Sequence, residues 1–329
     1  MSVTHHISLG DLSVAVTNPI TLSAMERNQY EAMIAHSVIP RLHAEMCRSS
    51  RRTFSRDHLG MPSPVLRVEL ASYDPDASKI IEVEQDGSGL GIARKLGLPL
   101  ADNVAYMLYN YGVREIGYYR SACREHESAD QEEMLDAFTR QGICVRRARS
   151  LDELSPTCPS WIHASHGALA GYGEQGADAA ARAVFWPFDD GGSKRVLLFL
   201  NAYPLSNFRS AEELYRMFPD GFVVKPFVGR SARFVRCFEP PIADEYGSDE
   251  SERTELGQVL ADAKSGTHLV QPLLKHPTIR EHGKKRHEVA VLFFVFIEGY
   301  YRLRAGYFMN TPSRKVHVGA CTHLRPIRC

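Results

Sequence analysis

A single lysine, Lys225, stands inside the apolar and β-branched segment FVVKPFVGRSARFV. A lysine on an interior strand loses hydration unless an anion meets it, and phosphate is a common partner in such places. The Gly-Arg-Ser turn that follows offers backbone N–H groups, which can fold over a phosphate. The other interpretation, an edge-strand lysine that points to water, has similar weight when this segment is taken alone.

Two carboxylates, Glu82 and Glu84, alternate with apolar residues in the segment KIIEVEQDGSG. On a strand, residues two apart project from the same face, so both carboxylates share one side. Two adjacent like charges are costly unless a cation bridges them, and Mg2+ takes such hard oxygen ligands together with phosphate oxygens. The alternative is a solvated face of a sheet, since the alternation shows only that the strand has one polar side.

The segment HLVQPLLKHP runs from an apolar strand into a Gln-Pro-Leu-Leu connection, which suits a hinge between domains. Backbone N–H and C=O groups exposed at a hinge can bind the edge of an adenine ring. The segment alone does not identify a nucleotide site.

Taken together, the three segments resemble parts of the ATP-grasp ligases, which use a lysine strand, an adenine hinge and acidic metal ligands. The acidic hairpin precedes the lysine strand here, whereas ordinary members have it last. This order is similar to the circularly permuted branch, which includes the eukaryotic-type glutathione synthetases. The likeness covers most of the chain, from RVELASYDPDASKIIEVEQDGSGLG to THLRPI near the C-terminus.

The resemblance implies an α/β chain with a circularly permuted ATP-grasp fold and an inserted small parallel α/β substrate domain. It also implies roles at individual positions. Lys225 would contact the phosphates of ATP, and Gln271 with Leu273 would line the adenine pocket. Glu82 and Glu84 would hold Mg2+.

The substrate side of the site is implied in the same way. Arg67 and Arg325 would receive the substrate carboxylate or its acyl phosphate. Arg209, in SNFRSAEE, stands where a second phosphate-binding lysine is expected. Gln85 and Ser88 belong to the loop that lies close to substrate in the permuted family.

Two positions depart from the family pattern. Glu84 stands where the family often has an asparagine, which is a mild change because both side chains offer oxygen ligands. The loop after Lys225 has one glycine rather than a run of glycines. The resemblance therefore does not identify which residues would cover the phosphates.

The function implied is phosphoryl transfer from ATP to a carboxylate, followed by attack of an amine to form an amide or peptide bond. Amino acids or small peptides are the expected substrates. Such chemistry depends on positioning and on neutralising phosphate charge, so no dedicated general base need be visible. Two alternatives remain open, a non-catalytic nucleotide-binding regulatory protein and a small-molecule kinase that uses the same clamp.

The predicted elements must position these residues. Residues 20–46 have apolar residues at helical spacing, with Ser23 as a cap and an interruption near Pro40. A hairpin carries the two carboxylates, and strands then alternate with helices as far as the segment RVLLFLNAY, which is predicted as a strand. We expect three parts: 1–91 with the metal strands, 92–205 as the substrate domain and 206–329 as the nucleotide clamp.

Two other patterns are weighed and set aside. The run Gly87-Ser88-Gly89-Leu90-Gly91 has GxGxG spacing rather than that of a dinucleotide fingerprint. His163 and His166 have no partner at zinc-ligand spacing, so we expect no metal there.

The composition excludes some classes of partner. Lys plus Arg and Asp plus Glu both number 39, so no global field directs the chain to nucleic acid or to an anionic membrane. The seven cysteines are scattered, and no apolar stretch approaches a membrane span. A cytoplasmic location is the default expectation, and a homodimer is expected only by analogy with the permuted ligases.

Overall fold

A computed structural model describes residues 3–42, 63–85, 87–120, 125–155, 157–163, 184–185, 192–227, 235–239, 257–261, 266–281, 284–312 and 321–329. The architecture is mixed α/β, with three sheets formed by these residues. No helix in these ranges is long and apolar enough to cross a membrane.

The largest sheet has nine strands and joins the two ends of the chain. Its main path runs in the order β1, β2, β16, β15, β14, β4, β5, with β3 beside β16 and β13 beside β14. The bounds are β1 Val3–Leu9, β2 Leu12–Thr17, β3 Ile20–Thr21, β4 Val65–Leu70, β5 Ile80–Glu84, β13 Thr278–Glu281, β14 Lys284–Ile297, β15 Tyr300–Thr311 and β16 His323–Arg328. The N-terminal hairpin of β1 and β2 was not predicted.

A four-stranded sheet carries the lysine segment, in the order β11, β10, β12, β9. Its strands are β9 Tyr203–Pro204, β10 Phe222–Pro226, β11 Arg236–Phe238 and β12 His268–Pro272. Aromatic and aliphatic side chains on one of its faces, including Phe222 and Phe238, pack against Leu214 in a separate small core. The side chain of Lys225 alternates with Val224 of this core and therefore points from the other face of the sheet.

A three-stranded parallel sheet has β6 Glu115–Arg120 between β7 Cys144–Ala148 and β8 Ser160–His163. The predicted strands EIGYY and ICVRRA are thus present, with a helix between them as parallel pairing requires. Its core is continuous with one face of the nine-stranded sheet, because Ile116 and Trp161 share a cluster with Leu90 and Val291.

The helices are α1 Ala24–Met33, α2 Leu90–Lys95, α3 Leu100–Asn110, α4 Glu125–Arg140, α5 Gly192–Arg195 and α6 Ala211–Met217. Ser23 caps α1 as predicted, in a reciprocal box with Glu26. The interruption near Pro40 is a π-helical turn over Ile34–Val38, where Ile39 N–H donates to Ile34 O. Proline lacks the N–H that would continue the α-helical pattern, which explains why the wider turn lies just before it.

The prediction of a strand at RVLLFLNAY is wrong. The chain there forms α5, a 3-10 turn over Val196–Phe199 and only a two-residue strand at Tyr203–Pro204. Val196 and Leu197 are buried in the core beneath the nine-stranded sheet, so packing rather than β-propensity decides this segment.

Candidate functional site

Four charged side chains occupy one face of the antiparallel pair β4 and β5. Arg67 lies opposite Glu84, and Glu69 lies opposite Glu82. The period of two along each strand puts all four on the same face, while Val68 and Val83 face the apolar core on the other side. The predicted shared face of Glu82 and Glu84 is therefore present, and Glu69 and Arg67 complete it.

Arg67 is held between two carboxylates. Its Nη1 donates to Glu84 and its Nη2 donates to Glu69. Burial alone would lower the pKa of Arg67, but the two carboxylates raise it well above its ordinary value. Its Nε has no hydrogen-bond partner within the described residues, so one donor of the guanidinium is left for another group.

Lys225 reaches this cluster from β10 of the four-stranded sheet. Its side chain is buried, and Nζ donates to the backbone oxygen of Ile81 at 2.9 Å. Burial lowers the pKa of Lys225, and the nearby Glu82 only partly offsets that effect. A buried ammonium with spare donors is suited to an anionic ligand.

Lys194, which was not predicted, is the second lysine of the cluster. Its Nζ lies 3.7 Å from Glu82 Oε1, and its side chain is 10% exposed. Burial alone would raise the pKa of Glu82, but Lys194, Lys225 and Arg67 together hold it below its ordinary value. Glu82 is therefore ionised at neutral pH.

Arg209 does not join this cluster in the structure. It is exposed just before α6, and its backbone N–H donates to Glu213 at 2.7 Å. Lys194, rather than Arg209, is the second cation that lies beside Glu82. The basic pair in GGSKRV was the available signal, although the predicted strand RVLLFLNAY begins only at Arg195, one residue after Lys194.

Gln271 lies on β12 next to the lysine strand, and its role at an adenine pocket stays a prediction. Its Nε2 donates to Ile80 O at 2.7 Å and to Asn201 Oδ1 at 2.6 Å, and the residue is 2% exposed. Its amide thus joins the two sheets rather than facing an open pocket. Leu273 is buried just after β12, where its N–H donates to Gly221 O at 3.0 Å.

The glycine-rich turn after β5 is fixed by Asp130, which lies on α4. The two carboxylate oxygens of Asp130 accept from Gly89 N and Ile92 N, each at 2.8 Å. The chain thus supplies its own anion to the N-terminus of α2.

Gln85 and Ser88 flank this turn. Gln85 is buried, and its Oε1 has no hydrogen-bond partner within the described residues. Ser88 is partly exposed beside Gly89, whose φ is +84°. A Cβ at Gly89 would lie 2.9 Å from the Tyr307 hydroxyl oxygen, so the turn passes too close to β15 for a side chain. The role of Gln85 and Ser88 toward a substrate stays a prediction.

Arg325 lies on the opposite face of the nine-stranded sheet from Arg67. It pairs with Phe308, and its guanidinium carbon lies 4.6 Å from the centre of that ring. Its Nη2 donates to the buried Glu288 at 2.7 Å. The structure therefore does not bring Arg325 to the cluster.

Of the two histidines at 163 and 166, the described part of the chain includes only His163. His163 is buried beside Gln131, 2.7 Å from its Nε2, and His166 lies outside the described residues. Within the described residues, no group of three or more His, Cys, Asp or Glu side chains could hold a metal ion.

A magnesium ion fits the cluster in the manner it usually adopts with nucleotides, which is one or two carboxylates plus phosphate oxygens. Glu82 is ionised and its side chain is 23% exposed, so it offers an accessible oxygen. Glu84 is 17% exposed and already binds Arg67. Glu82 is therefore the better placed of the two.

No protein-family model matches the chain, and a search of curated proteins finds no significant match. Among solved structures, a glutathione synthetase-like effector from Globodera pallida is similar, with a TM-score of 0.47 and 10% identity over 94% of this chain and 89% of that one. A putative gamma-glutamylcysteine synthetase from Methylobacillus flagellatus has a TM-score of 0.38 and 10% identity, over the same shares of 94% and 89%. Similarity at this level does not assign the chain to a family.

Proposed function

We propose that the chain is an ATP-dependent ligase that joins a carboxylate to an amine through an acyl phosphate, with amino acids or small peptides as substrates. The observation that carries the proposal is the meeting of Lys225 and Lys194 with Glu82, next to Arg67. Buried cations gathered around an ionised carboxylate suit a site for a metal-bound polyphosphate.

Each group has a distinct part in this proposal. Lys225 and Lys194 bind the phosphate oxygens of ATP and neutralise the charge that is transferred with the phosphoryl group. Arg67 orients the substrate carboxylate through its remaining donors, while Glu84 and Glu69 fix its guanidinium. Glu82 and Glu84 would hold Mg2+, which would further neutralise the charge of the phosphates.

The reaction proceeds in two steps. An oxygen of the substrate carboxylate attacks the γ-phosphorus, the bond to the β–γ bridging oxygen breaks, and ADP leaves with the electron pair. The amine nitrogen then attacks the acyl carbon, phosphate leaves, and the nitrogen loses a proton to give the amide. Alignment of the carboxylate with the phosphate, rather than a dedicated base, supplies most of the acceleration.

The test is phosphate and ADP release from Mg-ATP with amino acids offered singly and in pairs. Wild-type protein is compared with Lys225→Met and Glu82→Gln, which keep side-chain size and remove charge. Lys275→Met is the control, because Lys275 is a surface lysine that is 82% exposed. We expect turnover that needs one acid and one amine, survives in the control and falls at least about 100-fold in both site variants.

Other outcomes decide against the proposal. ADP that forms with an acid alone and accumulates as a stable phosphorylated product identifies a kinase. Tight binding of Mg-ATP without ADP under any pair identifies a nucleotide-binding protein.

A further inference from the structure

Strand β5 is an end strand of the nine-stranded sheet, yet its outer edge is not left to water. Three side chains donate to backbone oxygens in and just before it. Asn201 binds Ser78 O and Ile80 O, Gln271 binds Ile80 O, and Lys225 binds Ile81 O. Unpaired edge groups are costly when buried, so these contacts take the place of a neighbouring strand.

Asn201 is the centre of this arrangement. Its Nδ2 donates to Ser78 O at 2.7 Å and to Ile80 O at 2.9 Å, and its Oδ1 accepts from Gln271 Nε2 at 2.6 Å. Both amide hydrogens are therefore used. The opposite amide orientation would place Oδ1 against two carbonyl oxygens, so the hydrogen-bond pattern itself fixes the orientation.

These contacts join the two halves of the proposed site. Glu82 and Glu84 lie on β5, whereas Lys225 comes from β10, where Val223 pairs with Gln271 on β12. Lys194 and Asn201 flank the 3-10 turn Val196–Phe199, so one short segment contacts both Glu82 and the strand edge. A shift of the four-stranded sheet along β5 would therefore move Lys225 away from Glu82.

We propose that Asn201 is a positioning residue for phosphoryl transfer: with Gln271 it holds the four-stranded sheet on β5, so that Lys225 and Lys194 stay over Glu82. This inference rests on the proposed function. Asn201 acts through the strand it holds and need not contact ATP or substrate. Asn201 would thus keep the metal-binding side of the proposed site next to its phosphate-binding side.

The variant that tests it is Asn201→Asp, which keeps the shape and the acceptor for Gln271. It replaces the donor amide by an oxygen that faces two carbonyl oxygens, so the contact becomes repulsive. Asn207→Asp is the matched control, because it makes the same change at an exposed position nearby.

The first readout needs no ligand. Amide hydrogen exchange across Ile80–Glu84 should become at least about tenfold faster in Asn201→Asp and stay unchanged in Asn207→Asp, because strand-edge contacts set local opening. Unchanged exchange in both variants would overturn the inference.

The second readout separates positioning from a loss of stability. A partly unfolded enzyme would by itself raise the apparent KM and Kd for Mg-ATP, so all variants are compared at a temperature where thermal unfolding shows each of them fully folded. We expect the KM and the Kd for Mg-ATP to rise about tenfold in Asn201→Asp, as loss of one buried hydrogen-bonding donor implies. A KM and a Kd that do not change in the fully folded variant, together with a lower unfolding temperature, would mean that Asn201 is structural only.

The two proposals fail in different ways. Wild-type protein that does not bind Mg-ATP in a calorimetric titration refutes the proposed function. Wild-type protein that binds Mg-ATP, with the same affinity in Asn201→Asp and Asn207→Asp, refutes the role of Asn201 and leaves the proposed function standing.

Discussion

Arg67 and Arg325 lie on opposite faces of one sheet, although the family resemblance assigns both to a single carboxylate. Phe293 pairs with Arg67 on one side and with Ala305 on the other, whereas Arg325 pairs with Phe308. Ala305 and Phe308 are an odd number of residues apart, so their side chains point to opposite faces. Arg67 thus belongs to the charged cluster, and Arg325 belongs to a buried network with Glu288.

Arg325→Met should therefore destabilise the protein. Arg325 binds Glu288, whose side chain is fully buried, and the variant would leave that carboxylate without its cation. Breaking a buried ion pair by removing one partner costs about 3–5 kcal/mol. Urea unfolding measures the loss, and Arg302→Met is the control. Arg302 is 50% exposed and binds Glu31 at 2.9 Å, so we expect a cost below about 1 kcal/mol. Equal losses in the two variants would contradict this assignment.

Arg67→Lys should impair activity more than stability. A lysine keeps the charge, but a single ammonium cannot reproduce the fork that binds Glu84 and Glu69 and leaves Nε for a ligand. We expect the KM for the acid substrate to rise about tenfold or more in steady-state assays. The control is Arg146→Lys, at an exposed arginine that binds Glu115 at 2.8 Å. A KM that does not change would remove Arg67 from the site.

Asp130→Ala should loosen the glycine-rich turn. The variant removes the acceptor for Gly89 N and Ile92 N and leaves both donors buried, which costs about 1–3 kcal/mol. Thermal unfolding gives the loss, and Asp136→Ala on the same helix is the control. Asp136 is 69% exposed and lies 3.9 Å from Arg94, so it should matter little. If the two variants have the same unfolding temperature, the turn does not depend on Asp130.

The free energy of unfolding should fall at alkaline pH because of Tyr30. Burial, followed by the charge of Asp74, raises the pKa of Tyr30 from its ordinary value of 10.0 to about 12. The unfolded chain loses this proton first, so the stabilising contribution is complete below about pH 10 and is lost as pH rises through about 12. Urea unfolding at pH 9 to 11 should show a steeper decline for wild type than for Tyr30→Phe. Tyr106→Phe, at a residue that is 58% exposed, should decline like wild type.

Much of the local structure follows from the sequence because it depends on short-range rules. The period of two on a strand places Glu82 and Glu84 on one face, and the pattern of Ser23 and Glu26 begins α1 where it was predicted. The strand that carries Lys225 is also where its β-branched residues predicted it. Each of these predictions needs only residues a few positions apart.

Tertiary structure alone decided which distant residues meet. Lys194 contacts Glu82 because its segment packs as a helix and 3-10 turn against the core, against its own β-propensity. Asp130 reaches Gly89 across 41 residues, and Asn201 reaches Ile80 across 121. The register of β16 places Arg325 away from Arg67. Side-chain types and their spacing thus determined the candidate chemistry. Strand register and packing decided which side chains share a site, because register and packing depend on contacts between segments far apart in the chain.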